Sequence, residues 1–139
     1  MKVLYFIVVA AMIGALCFLA DRSHRRQLER RIQHRPPRND DEFSRLFPNE
    51  QGTIAVRIRQ ILQPWVDIDL ARMAPTDWLC RDLGLARLDG MDVTGFIQDV
   101  EKAFHIKIPD SEAEKMRSLK DVTEFVASAT KQDSGEPAL

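Results

Sequence analysis

The sequence predicts an all-α protein: a bundle of three main helices plus one short helix, preceded by a single N-terminal transmembrane helix. Three observations predict it. Residues 3–20, VLYFIVVAAMIGALCFLA, carry no charge. As a helix they span about 27 Å, close to the hydrocarbon thickness of a bilayer. Further on, apolar residues recur at helical spacing in separate segments bounded by Pro and Gly. At 139 residues, 45% apolar and 29% charged, the chain fits one modest domain plus a small addition. It is neither wholly disordered nor a multi-span membrane protein.

Taken in order, residues 1–21 read as a transmembrane anchor. Lys2 is the only charged side chain before the apolar run, and arginines follow directly. That asymmetry places the C-terminal side in the cytoplasm. A cleaved signal peptide is the rival reading, but its charge belongs before the run and Phe18-Leu19-Ala20 is a poor cleavage site. Residues 22–49 read as a basic juxtamembrane linker and short docking segment, helical as far as Arg35, where Pro36-Pro37 stops it. Phe43, Leu46 and Phe47 form the apolar side of a capped turn ended by Pro48.

The domain proper is expected over 50–130. Its first helix is 52–63, with Ile54, Ile58, Ile61 and Leu62 on one face and Pro64 ending it. A connector over 64–84 is long for a loop and must bring its own anchors: Trp65, Val66, Ile68, Leu70, Trp78, Leu79 and Leu83. The second helix starts near Asp89 or Gly90. Val93, Phe96, Ile97, Val100 and Phe104 make its buried stripe, and Lys102 and His105 suit its C-terminal end. Ile106 and Ile108 read as anchors before a short helical turn opened by Pro109. The last helix covers 118–130, with Ser118 and Asp121 as a near capping box and Leu119, Val122, Phe125, Val126 and Ala129 as its stripe. Residues 131–139 lack an apolar period and read as a flexible tail.

The formal net charge of −1 hides an asymmetry. Residues 22–38 hold seven arginines (22, 25, 26, 30, 31, 35, 38) against Glu29, net +6. Residues 39–139 hold twelve Lys/Arg against nineteen Asp/Glu, net −7. An acidic domain excludes nucleic acid as its ligand. The Arg22–Arg38 stretch acts as a topology signal and spacer, and it can also contact anionic lipid. The two cysteines, Cys17 and Cys80, fall in different regions and imply no disulfide; Cys80, among Trp78, Leu79 and Leu83, reads as a small buried hydrophobe.

The domain holds no glycine-rich phosphate loop, no CxxC, no HExxH and no GxSxG. His105 is its only histidine, and nothing nominates a nucleophile beside it. Asp67, Asp69 and Asp77 lack the Gly and terminal Glu of a calcium loop. His24 and His34 lack the company of a metal site. No catalytic residue, no metal and no enzyme activity is expected.

Three motifs carry a resemblance. "RDLGL" at 81–85, "EKAFHIKIPDSEAEKM" at 101–116 and "SLKDVTEFV" at 118–126 are similar to corresponding stretches of the acyl carrier protein family, over residues 54–127. The resemblance implies an acyl-carrier-like bundle. It also implies a site at the start of the second helix, where the family's Asp-Ser-Leu-Asp motif attaches phosphopantetheine through the serine. Counted back from Phe104 without gaps, that motif falls on Asp89, Gly90, Met91 and Asp92. Counted forward from Asp82-Leu83-Gly84, the serine position falls on Arg87. The first register fits the apolar stripe. Neither offers a hydroxyl; Thr94 would sit inside the helix, and Ser111 and Ser118 belong to other elements.

Glycine has no side chain through which a phosphodiester can form. The expectation is therefore a membrane-anchored, acyl-carrier-like domain without the cofactor, acting as a binding or docking module. Its partner surface would be Asp89, Met91, Asp92 and Asp99, and its protein partner an acyl-transfer or lipid-metabolism enzyme. The alternative is a working carrier in membrane-associated lipid or acyl-transfer metabolism, loaded with phosphopantetheine at an unconventional site.

Overall fold

The structure is a computed structural model that describes residues 1–85 and 91–134. Among these residues the α-helices are α1 (Lys2–Ile32), α2 (Asp40–Ser44), α3 (Gln51–Leu62), α4 (Met91–Phe104), α5 (Asp110–Ala113) and α6 (Leu119–Ser134), and no strand is formed. Two 3-10 turns, Gln63–Trp65 and Leu70–Arg72, punctuate the connector. The α3 helix lies at the centre, packed on α2, α4 and α6.

α1 is one helix from the apolar run into the arginine-rich stretch, and it is long and apolar enough to cross a membrane. It ends at Ile32, three residues before Arg35. Arg35, preceding Pro36, leaves the helical region and donates to Asp77 at 2.6 Å. The stretch expected as a linker also enters the core: Leu28 and Ile32, one helical turn apart, are both buried there with Phe43 and Phe47. The packed unit therefore reaches back to residue 28, well before residue 50. Leu46 points outward at 44% exposure.

α2 starts in a capping box. The Glu42 N–H donates to Asn39 Oδ1 at 2.8 Å and the Asn39 N–H donates to Glu42 Oε2 at 3.0 Å, satisfying two otherwise orphaned donors. Arg59 of α3 pins this segment: it donates to Asp40 at 2.6 Å and to the Arg38 carbonyl at 3.3 Å. Its guanidinium lies 4.3 Å from the Phe43 ring centroid. The buried line of α3 is Ala55, Ile58 and Leu62, with Ile54 and Ile61 on its flanks.

The connector is a wall of the core. Val66, Ile68, Leu70, Met73, Leu79, Leu83 and Leu85 are buried. Gln63 fastens its start, donating to the Ile68 carbonyl at 2.8 Å and accepting from the Leu70 N–H at 3.1 Å. Its middle pairs with the entry to α6 through an isolated bridge of Trp78 and Ser118, with the Leu79 N–H donating to the Arg117 carbonyl at 2.8 Å. Cys80 is exposed, which corrects the buried expectation. The tight turn through 78–85 sends Leu79, Leu83 and Leu85 inward and Cys80 outward.

α6 begins as expected. The Ser118 N–H donates to Asp121 at 3.0 Å and the Asp121 N–H donates to the Ser118 hydroxyl at 3.3 Å. It runs to Ser134, four residues past the expected end, because no helix breaker occurs before Gly135. The remainder of the expected tail, 135–139, lies outside the described residues.

Candidate functional site

The Asp-Leu-Gly turn and the start of α4 flank the expected site. In the turn, Asp82 accepts from the Trp78 N–H at 2.9 Å and from Arg31 of α1 at 3.1 Å. Gly84 has φ +77, a left-handed conformation that glycine adopts without penalty. A Cβ there would lie 2.6 Å from Leu28 Cδ1. The turn is thus shaped by its own sequence and roofed by the end of α1. Burial pushes the Asp82 carboxyl up. The hydrogen bonds from Arg81, the Trp78 N–H and Arg31, with the charge of Arg81, outweigh burial and hold its pKa below the ordinary carboxylate value.

Asp89 and Gly90 lie outside the described residues. α4 is described from Met91, its first residue, with Asp92 in its first turn. Asp92 is half-buried, and an acid there suits the positive end of the helix dipole. Two turns further, Asp99 accepts from the Trp65 indole N–H at 2.9 Å. The indole crosses α4 over Gly95, where a Cβ would come within 3.0 Å of three ring carbons. Asp99 is therefore half-buried and engaged, not a free surface carboxylate.

The far end of α4 is held by Glu101. Its carbonyl accepts from the Ile106 N–H at 3.1 Å and its carboxylate from the Ile108 N–H at 2.8 Å. His105 is exposed with φ 53, a left-handed residue just past the helix end. Ile108 then enters the core. This geometry accounts for His105, Ile106 and Ile108 in the Phe-His-Ile-Lys-Ile-Pro-Asp run. The expected acidic face of α4 is consequently reduced: Asp99 and Glu101 serve the fold, and Thr94, Gln98 and Lys102 form its exposed side. The carboxylates weighed as a calcium loop have separate tasks. Asp69 caps the Ala71 N–H at 3.0 Å, while Asp77 accepts from the Ala74 N–H at 2.7 Å and from Arg35. Trp78 was expected as a core anchor. It is 38% exposed and carries Arg81 at 4.1 Å and Arg117 at 5.1 Å from its ring centroid.

Comparison of the sequence with known proteins finds relatives over part of the chain. Across 69 residues the chain is 32% identical to the acyl carrier protein of Helicobacter pylori, covering 50% of this chain and 85% of that protein. The chain belongs to the acyl carrier protein family. Two further acyl carrier proteins agree. That of Syntrophobacter fumaroxidans is 32% identical over 76 residues, and that of Thermosynechococcus vestitus 29% over 76; each alignment covers 55% of this chain and 90% of the relative. No protein-family model matches the chain. In this acyl carrier family member the relatives match about half of the chain.

Proposed function

We propose that this protein is a membrane-tethered acyl-carrier-like domain that takes no phosphopantetheine and works as a non-catalytic docking module. The observation that carries this reading is Gly90. In the gapless register from Phe104, it occupies the attachment position, between Asp89 and Met91 and two residues before a retained acid, Asp92. A hydroxyl oxygen is required for the phosphodiester, and glycine supplies none. Thr94, one turn into α4, is displaced from the helix start where the N–H groups of a terminus favour a phosphate.

The tether is residues 3–20, an uncharged run inside one continuous helix. Arginines on its C-terminal side favour a cytoplasmic domain. Asp89, Met91 and Asp92 are the residues we assign to the surface a protein partner would read; Asp99, engaged by the Trp65 indole, drops out of it. The partner class that suits a carrier-like domain at a membrane is an acyl-transfer or lipid-metabolism enzyme.

The test is chemical. Incubation of the protein with a broad-specificity phosphopantetheinyl transferase and coenzyme A, followed by intact-mass measurement, should leave the mass unchanged. The Gly90→Ser variant should gain one adduct, which would show that the surface recognised by the transferase persists. A stoichiometric adduct on the unaltered chain would overturn the reading and favour a working carrier.

A further inference from the structure

The seven arginines of the collar divide into three groups. Arg31, Arg35 and Arg38 belong to the fold. Arg31 donates to Asp82 at 3.1 Å and Arg35 to Asp77 at 2.6 Å. The Arg38 backbone joins the Ala71 carbonyl at 2.8 Å and accepts from Arg59. Arg25 is paired with Glu29 at 3.0 Å. The remaining three, Arg22, Arg26 and Arg30, are exposed. None makes an ion pair or hydrogen bond to a described side chain.

These three recur every four residues, so they form a ladder along one helix face with a step of about 6 Å. With Leu19, Ser23 and Gln27 they line a shallow groove on α1. The ladder begins two residues beyond the apolar run, which ends at Ala20. Arg22 then sits about 3 Å past the hydrocarbon edge, Arg26 about 9 Å and Arg30 about 15 Å. The headgroup layer is roughly 5–7 Å deep on each side. Long arginine side chains reach back toward it, and their planar guanidinium forks match phosphate oxygens.

We propose that Arg22, Arg26 and Arg30 form a binding site for the phosphates of anionic lipid headgroups, and that Arg31, Arg35 and Arg38 take no part in it. The proposal rests on α1 spanning a bilayer. It assigns lipid recognition to one face of α1 and leaves the other arginines to hold the domain against that helix.

The full chain, reconstituted into phosphatidylcholine vesicles, would be probed with spin-labelled phosphatidylglycerol and spin-labelled phosphatidylcholine. The motionally restricted fraction of each label gives their relative association. The unaltered chain should favour phosphatidylglycerol by about fivefold or more, and the preference should shrink as salt is raised. The R22Q/R26Q/R30Q variant should lose it. The R31Q/R35Q variant should keep it, although its thermal midpoint falls. Equal association of both lipids with the unaltered chain would overturn the proposal. So would a preference that survives in the triple variant, or one lost equally in R31Q/R35Q. Resistance to alkaline carbonate extraction is measured in parallel. An extractable chain overturns the tether itself, whereas an inserted chain without preference overturns only the lipid site.

Discussion

At Gly95 a missing side chain is what the structure needs. A helix-interior glycine costs about 1 kcal/mol against alanine, yet three carbons of the Trp65 ring occupy the space a Cβ would fill. The indole is rigid and tied to Asp99 at 2.9 Å, so it cannot yield cheaply. Gly95→Ala should therefore lower stability by about 1–3 kcal/mol despite its better helix propensity, read as a lower midpoint in urea denaturation. An unchanged or raised midpoint would show that the indole moves. This requirement was illegible in the sequence, because Trp65 and Gly95 are thirty positions apart. The neighbouring apolar stripe was legible: Phe96 and Val100 are buried as their spacing implied. The structural tasks of Asp99 and Glu101 were illegible because their partners, the Trp65 indole and the Ile108 N–H, come from other segments. Cys80 read as core because its neighbours are apolar; only the geometry of the 78–85 turn sends it outward.

Between elements, the joint of α1 with the Asp-Leu-Gly turn is partly electrostatic. Asp82 and, at the α2–α3 contact, Asp40 both have pKa values held below the ordinary carboxylate value. For Asp40 the hydrogen bond from Arg59 is the main cause. A carboxylate whose pKa is lower folded than unfolded adds stability that is complete above the unfolded value. That stability is lost as pH falls through the folded one. The thermal midpoint should accordingly hold steady from neutral pH to about 4–5 and drop below it. Asp82→Asn should start lower at pH 7 and show a shallower acid drop; a parallel drop in both proteins would remove Asp82 from the account. The order of the helices and the Ser118–Asp121 cap were readable from spacing and capping residues. The burial of Leu28 and Ile32 was not. Two apolar residues amid seven arginines make too weak a period to register, although at i and i+4 they share a helix face.

The whole molecule is joined through α1. Its last turn lies in the same core as the carrier-like helices, so the domain has no free leash between the apolar run and its packed body. A chain beginning at Asp21 should be more stable than one beginning at Asn39, by about 3–6 kcal/mol for the burial of Leu28 and Ile32. Denaturant unfolding of the two shortened chains measures this, and equal stabilities would show that α1 merely touches the domain. On the membrane reading, the continuous helix also limits where encounters occur. A domain on a flexible strand samples a hemisphere, whereas one rooted in a stiff helix travels as a disc at fixed altitude. Leu28 stands eight residues beyond Ala20, about 12 Å from the hydrocarbon edge. A partner must therefore bring its own docking surface to that height, and lateral diffusion in the bilayer sets how often the two meet.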